Sequence, residues 1–189
     1  MKLLKKLQYN SPVILSYAFI CLVFLIINLI TCGWFNKTFL ISYPHASLLN
    51  PLTYLRSVLY IFGHSGVAHF SNNMLLLLLI GPVVEEKYGS KRLIEMILST
   101  AIVTSIINGL FFNAGLIGAS GIVFMLIMLS AFVNVQKDKI PISLVLVGLF
   151  YLGTEVYNAI FVVDSVSQLA HIIGGICGIF WGVIYNKKK

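Results

Sequence analysis

Residues 13 to 32 read VILSYAFICLVFLIINLITC, twenty consecutive positions without a charged side chain. At 1.5 Å of helical rise per residue they cover about 30 Å, the thickness of a bilayer's hydrocarbon core. Lys2, Lys5 and Lys6 precede the run as the n-region of a signal peptide would, but the run is too long for an h-region and no A-x-A site follows. The segment is therefore expected to stay attached as a first membrane span. The rest of the chain is of the same kind: 59% of the 189 residues are hydrophobic, 10% are charged, and the mean hydropathy is +0.96. A soluble domain carries about 25% charged residues, so this composition excludes a disordered chain, a nucleic-acid module and a secreted disulfide scaffold.

Working outward, five more apolar runs follow: Val67 to Val84, Leu93 to Phe112, Gly115 to Val135, Ile140 to Val163 and Leu169 to Tyr185. Six spans fill residues 1 to 189 and leave no room for a soluble domain. The expected fold is a single all-α polytopic membrane bundle with short connections, apart from a first loop over residues 33 to 66.

Eleven of the thirteen Lys and Arg fall on one set of span ends: Lys2, Lys5, Lys6, Lys87, Lys91, Arg92, Lys137, Lys139 and Lys187 to Lys189. The other side keeps Lys37 and Arg56. Positive charge collects on the cytoplasmic face, which predicts cytoplasmic termini at a plasma membrane and explains the net charge of +7 as a topology signal and a contact for anionic lipid, with no nucleic-acid partner. The 33–66 loop is then outer. Its Trp34, Phe35, Tyr43, Tyr54, Tyr60 and Phe62 suit the headgroup layer, and Leu52 to Phe62 fits a helix lying there with Arg56 snorkelling. Cys21, Cys32 and Cys177 lie in apolar runs and read as small hydrophobes; no CxxC or HExxH spacing points to a metal or another cofactor.

Polar side chains inside spans are costly, so where they converge is informative. With the amino terminus inside, spans two, four and six run from outside to inside, and their first turns lie at one depth. Span two opens with His64, His69, Ser71, Asn72 and Asn73, of which His69 and Asn73 share a helix face. Span four opens Gly118-Ala119-Ser120-Gly121, and span six opens Ala170-His171 with Gly174 and Gly178 beyond. Ala170, Gly174 and Gly178 form a small-residue stripe, and Gly118 and Gly121 offer the same on span four, so the two helices can approach closely and bring Ser120 and His171 within reach of each other. A serine that passes its proton to an imidazole is a nucleophile with its base, and His69 and Asn73 are candidate donors for the oxyanion. No carboxylate is placed as a third member: Asp164 falls in the last outer loop and Glu155 in span five.

These motifs, His69-x-x-x-Asn73, Gly118-x-Ser120-Gly121 and Ala170-His171-x-x-Gly174-x-x-x-Gly178 in that order on alternate spans, resemble those of the rhomboid intramembrane serine proteases over Arg56 to Tyr185. The resemblance implies Ser120 as nucleophile, His171 as general base, and His69, Asn73 and the Ser120 backbone N–H as the oxyanion site. It also implies a supporting role for His64, an inner turn built on Glu85 with Gly89 and Ser90, and substrates that are single-pass membrane proteins with small residues at the cleavage point and helix-breaking residues beyond it. Two positions depart from the family pattern: Leu55 stands before Arg56 in place of tryptophan, and Phe124 where relatives often carry a tyrosine beside the histidine.

Each signal has a bland counterpart. Gly-x-Ser-Gly alone is a common helix contact, a lone membrane histidine is usually a packing residue, and His69 with Asn73 equally fits an interhelical clamp. Two other classes remain open: a non-catalytic relative that binds membrane clients, and a small six-span transporter using Glu155 beside Tyr157 and Asn158. Glu95 is expected at the inner, lysine-rich interface, and His45 reads as an ordinary loop residue. The oligomeric state is not encoded legibly.

Overall fold

The computed structural model describes residues 8–133, 135–136, 139–154, 157 and 168–187. Lys2, Lys5, Lys6, Lys137, Glu155, Asn158, Asp164, Lys188 and Lys189 lie outside the described residues, as does the second half of the expected fifth span. The described chain is all-helical, with helices α1 (Pro12–Ile30), α2 (Pro51–Leu59), α3 (Val67–Tyr88), α4 (Ser90–Phe111), α5 (Ser120–Ser130), α6 (Ile142–Val147, continued by a π turn over Gly148–Leu152) and α7 (Gln168–Lys187). Among them α1, α3, α4 and α7 are long and apolar enough to cross a membrane, and α5 and α6 are apolar but shorter.

Local chemistry sets the ends. Pro12 opens α1 at a position where its missing N–H costs nothing. The helix closes at Thr31, whose hydroxyl donates to the Ile27 carbonyl, and the chain turns through Cys32 and Gly33 at positive φ. Helix α2 starts at Asn50, whose side chain accepts the Leu52 N–H, and passes into a 3-10 turn over Tyr60–Phe62. The expected helix over Leu52 to Phe62 is therefore present, in two parts. Gly89, at φ 81°, is the whole connection between α3 and α4.

The first correction concerns the fourth span, expected over Gly115 to Val135. The helix there has only the eleven residues Ser120–Ser130, about 16 Å of rise, and residues 115–119 are a non-helical approach to it. The reason lies in Ser42 and Leu116, which exchange both backbone hydrogen bonds at 2.9 and 3.0 Å and hold the approach strand-like against the first loop. Gly118 is consequently not a helix-contact residue.

The short helix is the centre of the bundle. Every residue from Gly121 to Leu129 is buried, as an all-round apolar helix requires, with α3, α4 and α7 packed about it. The α5–α7 seam is the most extensive helix contact among the described residues, and here the small-residue stripe performs as expected. A side chain on Gly174 would overlap the backbone of Gly121, and one on Gly178 would overlap the Met125 carbonyl, so the two helices touch backbone to backbone.

The second correction concerns the aromatic loop. Trp34, Tyr43 and Tyr54 are exposed as expected of headgroup residues, but Tyr60 is only 3% exposed and Phe62 packs in the interior against Tyr17 and Phe24. Residues 60–62 turn inward because the Tyr17 hydroxyl donates to the Ile61 carbonyl and the Tyr60 hydroxyl to the Ala101 carbonyl.

Candidate active site

Ser120 is the first residue of α5, where backbone N–H groups have no intrahelical acceptor and the dipole end is positive. His171 is in the first turn of the described part of α7. The seam sets them at one level: a side chain on Gly121, the residue after Ser120, would come within 3.1 Å of the carbonyl of Ala170, the residue before His171. Both line one cavity of about 530 Å³, Ser120 half-buried and His171 8% exposed. The imidazole lies flat on Phe124, one turn after Ser120, with ring centroids 4.3 Å apart and planes within 8°. Phe124 thus fixes the ring plane by stacking and, lacking a hydroxyl, offers the imidazole no polar contact.

From α3, His69 and Asn73 enter the same cavity one helical turn apart. The Nδ1 atom of His69 is 3.1 Å from the Ser65 hydroxyl. Its other edge lies against the approach to Ser120: a Cβ on Gly118 would meet Cε1 at 2.6 Å and Nε2 at 2.8 Å. Gly118 also sits at φ 129°, so close approach and backbone conformation both exclude a side chain there. Its N–H donates to the Tyr60 carbonyl at 2.9 Å, which anchors the peptide two residues ahead of Ser120. Asn73 is 6% exposed, and its amide nitrogen is buried without a hydrogen-bond partner among the described residues. An orphaned buried donor on a residue that lines a cavity is a costly arrangement.

Asn72 and Ala170 also line the cavity, whereas His64, Arg56, Leu55, Glu85 and His45 lie outside it. His64 is fully buried beside it, edge-on to His69 with centroids 5.1 Å apart and to Phe70 at 5.5 Å, and its carbonyl accepts the Asn36 side chain. Burial, and then the neighbouring His69, lower its pKa to about 4 against weak opposition from the Phe62 backbone, so the ring is neutral at physiological pH. Arg56 donates through Nε and Nη2 to the Thr38 carbonyl and lies over the Tyr43 ring, bracing the first loop. Leu55 is 45% exposed. Glu85 is at the opposite end of α3, where its carboxylate accepts the Val13 and Ile14 N–H groups and the Ser90 hydroxyl. His45 has a tie of its own, Nε2 to the Asn113 side chain at 3.1 Å, so it braces two loops and is not merely a loop residue.

Three contributors were not singled out from sequence. Ser65 precedes His69 by four residues, a spacing that could have flagged it. Tyr60 reads from sequence as a headgroup residue but lines the cavity, and the Ser42–Leu116 pairing joins residues whose local sequence contains no strand signal.

Comparison with known proteins identifies the family. The Rhomboid domain family matches residues 51–188. Over 189 residues the chain is 29% identical to Rhomboid protease GluP of Bacillus subtilis (strain 168), which takes in 95% of this chain and 36% of that protein. It is 35% identical over 129 residues to RHOMBOID-like protein 4 of Arabidopsis thaliana, 64% of this chain and 31% of the relative. It is 32% identical over 139 residues to Rhomboid-related protein 1 of Caenorhabditis elegans, 67% of this chain and 39% of the relative. The chain spans about a third of the length of these curated relatives. With four helices fit to cross a membrane and a family match over most of its length, the chain is a multi-pass membrane protein and belongs to the rhomboid family.

Proposed function

We propose that the chain is an intramembrane serine endopeptidase that cleaves single-pass membrane proteins at a point just below the outer surface of the plasma membrane, using Ser120 and His171 as a dyad. The observation that carries this reading is the shared cavity: a hydroxyl at a helix start, an imidazole on the helix fused to it, and an orphaned amide donor line one space.

In the reaction, His171 takes the Ser120 Oγ proton as Oγ bonds to the scissile carbonyl carbon. The carbonyl electrons move to oxygen, and the resulting oxyanion accepts from the Ser120 N–H, Asn73 and His69. In the tautomer in which the Ser65 hydroxyl donates to Nδ1 of His69, the ring proton resides on Nε2, the edge beside Gly118, and His69 is a donor there. Collapse of the adduct breaks the C–N bond while the imidazolium protonates the leaving amine. Water, deprotonated by His171, then attacks the Ser120 ester and regenerates the hydroxyl. A client helix must unwind before its peptide bond fits this cavity, since helical carbonyls are engaged within their own turns. No cofactor enters any step. The charge distribution supports an orientation with both termini in the cytoplasm and the cavity facing outward.

Wild-type protein in detergent is expected to react with a serine-directed fluorophosphonate and to cleave a single-pass substrate, and Ser120→Ala and His171→Ala are expected to lose cleavage by about 10⁴-fold or more. Labelling that survives Ser120→Ala would remove the nucleophile assignment. Absence of both labelling and cleavage in wild type would favour a client-binding or transport role.

A further inference from the structure

A second cavity of about 520 Å³ lies between the first loop with α2 on one side and α4 on the other, and shares no lining residue with the first. One wall is apolar: Ile102, Ile106 and Leu110 of α4 run along it and are themselves 40%, 54% and 64% exposed on the flank of the bundle. The facing wall, from the first loop and α2, includes Arg56, Tyr43 and Ser57. Two of the five guanidinium N–H groups of Arg56 are used on the Thr38 carbonyl, and the cation stands 5.1 Å from the centroid of the Tyr43 ring. Among the described residues the remaining donors have no carboxylate to meet locally: residues 8 to 84 contain no Asp or Glu, and the described acids, Glu85, Glu86 and Glu95, belong to the end of α3 and the start of α4. Glu95 is ten residues before Ser105 of the groove, about 15 Å along the helix.

A half-buried cation facing the apolar wall of a groove on the flank of the bundle complements the two parts of an anionic amphiphile. We propose that this groove is a discrete site for one anionic phospholipid, its phosphate on Arg56 and an acyl chain along Ile102, Ile106 and Leu110. The volume is within the range of about 300 to 1,000 Å³ usual for specific small-molecule sites, and arginine's planar donor set matches phosphate oxygens. The site also touches the catalytic region through the backbone. Ser42 lines the groove, its hydroxyl is 2.8 Å from that of Ser105, and its peptide pairs with Leu116 four residues ahead of Ser120. An occupied groove therefore clamps the pairing that holds the approach to Ser120.

The test is native mass spectrometry of the purified full chain with phosphatidylglycerol, and separately with phosphatidylcholine of the same acyl chains, alongside Arg56→Gln, Arg56→Lys and the groove-filling Ile106→Trp. Wild type is expected to retain one phosphatidylglycerol at least tenfold more tightly than phosphatidylcholine. Arg56→Gln and Ile106→Trp are each expected to lose that preference, and Arg56→Lys to keep part of it. Equal retention of the two lipids by wild type would overturn the proposal, and so would undiminished phosphatidylglycerol binding by Ile106→Trp, whose charge is native and whose reading stands even if Arg56→Gln does not fold. Displacement of the lipid by a single-pass substrate segment would assign the groove to substrate and equally overturn it. None of these readings depends on proteolysis, so a failure of the protease assignment leaves the result interpretable.

Discussion

Asn73 and Glu85 sit twelve residues apart on the same helix, 6% and 4% exposed, and are treated in opposite ways. Glu85 is saturated: Oε1 accepts the Val13 N–H at 3.0 Å and the Ser90 hydroxyl at 2.7 Å, and Oε2 accepts the Ile14 N–H at 3.1 Å. A buried carboxylate with three donors clips the start of α1 to the α3–α4 turn. Among the described residues Asn73 keeps an unpartnered amide nitrogen, and His64, packed against His69, meets no partner of good geometry for either ring nitrogen. For these two side chains of α3, the burden of burying a polar atom is thus discharged at Glu85 and carried at Asn73. Saturation marks the end that holds the bundle together, and the unspent donor marks the end with the cavity.

The contrast is sharpest in Asn73→Ala. Removing one oxyanion donor is expected to lower kcat by about 10²- to 10³-fold, about 2.7 to 4 kcal/mol, with thermal stability unchanged or slightly raised because an unsatisfied group has been deleted. A melting temperature that falls with kcat intact would make Asn73 a packing residue and dissolve the distinction. Glu85→Ala is the mirror experiment: about 2 to 3 kcal/mol of stability lost to stranded N–H groups, with kcat per folded molecule retained. Denaturant titration in mixed micelles alongside a rate measurement reads both; a stable but inactive Glu85→Ala would break the comparison.

His64 offers a test by pH. Its folded-state pKa of about 4 lies below the ordinary 6.5, so between these values the unfolded chain binds a proton that the folded one refuses. The contribution is complete above about pH 6.5 and is lost as pH falls toward 4, a few kcal/mol at most at about 1.4 kcal/mol per unit. Melting temperatures from pH 7.5 to 4.5 are expected to drop in wild type and to drop less in His64→Phe; identical slopes would remove the assignment. The smallest effect is expected from Ser65→Ala, which frees Nδ1 of His69 and should lower kcat by about three- to tenfold with little change in KM, in line with one hydrogen bond. A change confined to KM would mean that Ser65 meets the substrate and does not position His69.

Apolar runs and small-residue spacing carried most of the bundle into view before any coordinates. The ends of α1, α3, α4 and α7 follow from where hydrophobicity and turn chemistry change, and the backbone contact of α5 with α7 follows from Gly121, Gly174 and Gly178. The convergence of Ser120, His171, His69 and Asn73 on one cavity was legible because alternate spans run in the same direction. What stayed hidden was non-local. Nothing around Ser42 or Leu116 announces that they pair, and without that pairing residues 115–119 read as the first turn of a span. Tyr60 and Phe62 were misplaced because an aromatic residue in a membrane loop has the same composition whether it faces headgroups or the core; only the hydroxyl acceptors on Ile61 and Ala101 decide.

The seam between Gly121 and Gly174 leaves no side chain between two main chains, and so no knob that mutation can turn. Swapping leucine for valine ordinarily lets a lineage adjust spacing by a fraction of an ångström, and that dial is missing where Ser120 and His171 are anchored. The cavity's shape can then be adjusted only from the opposite wall, by α3 and the residues leading into α5, while a side chain at the joint would push the two main chains apart.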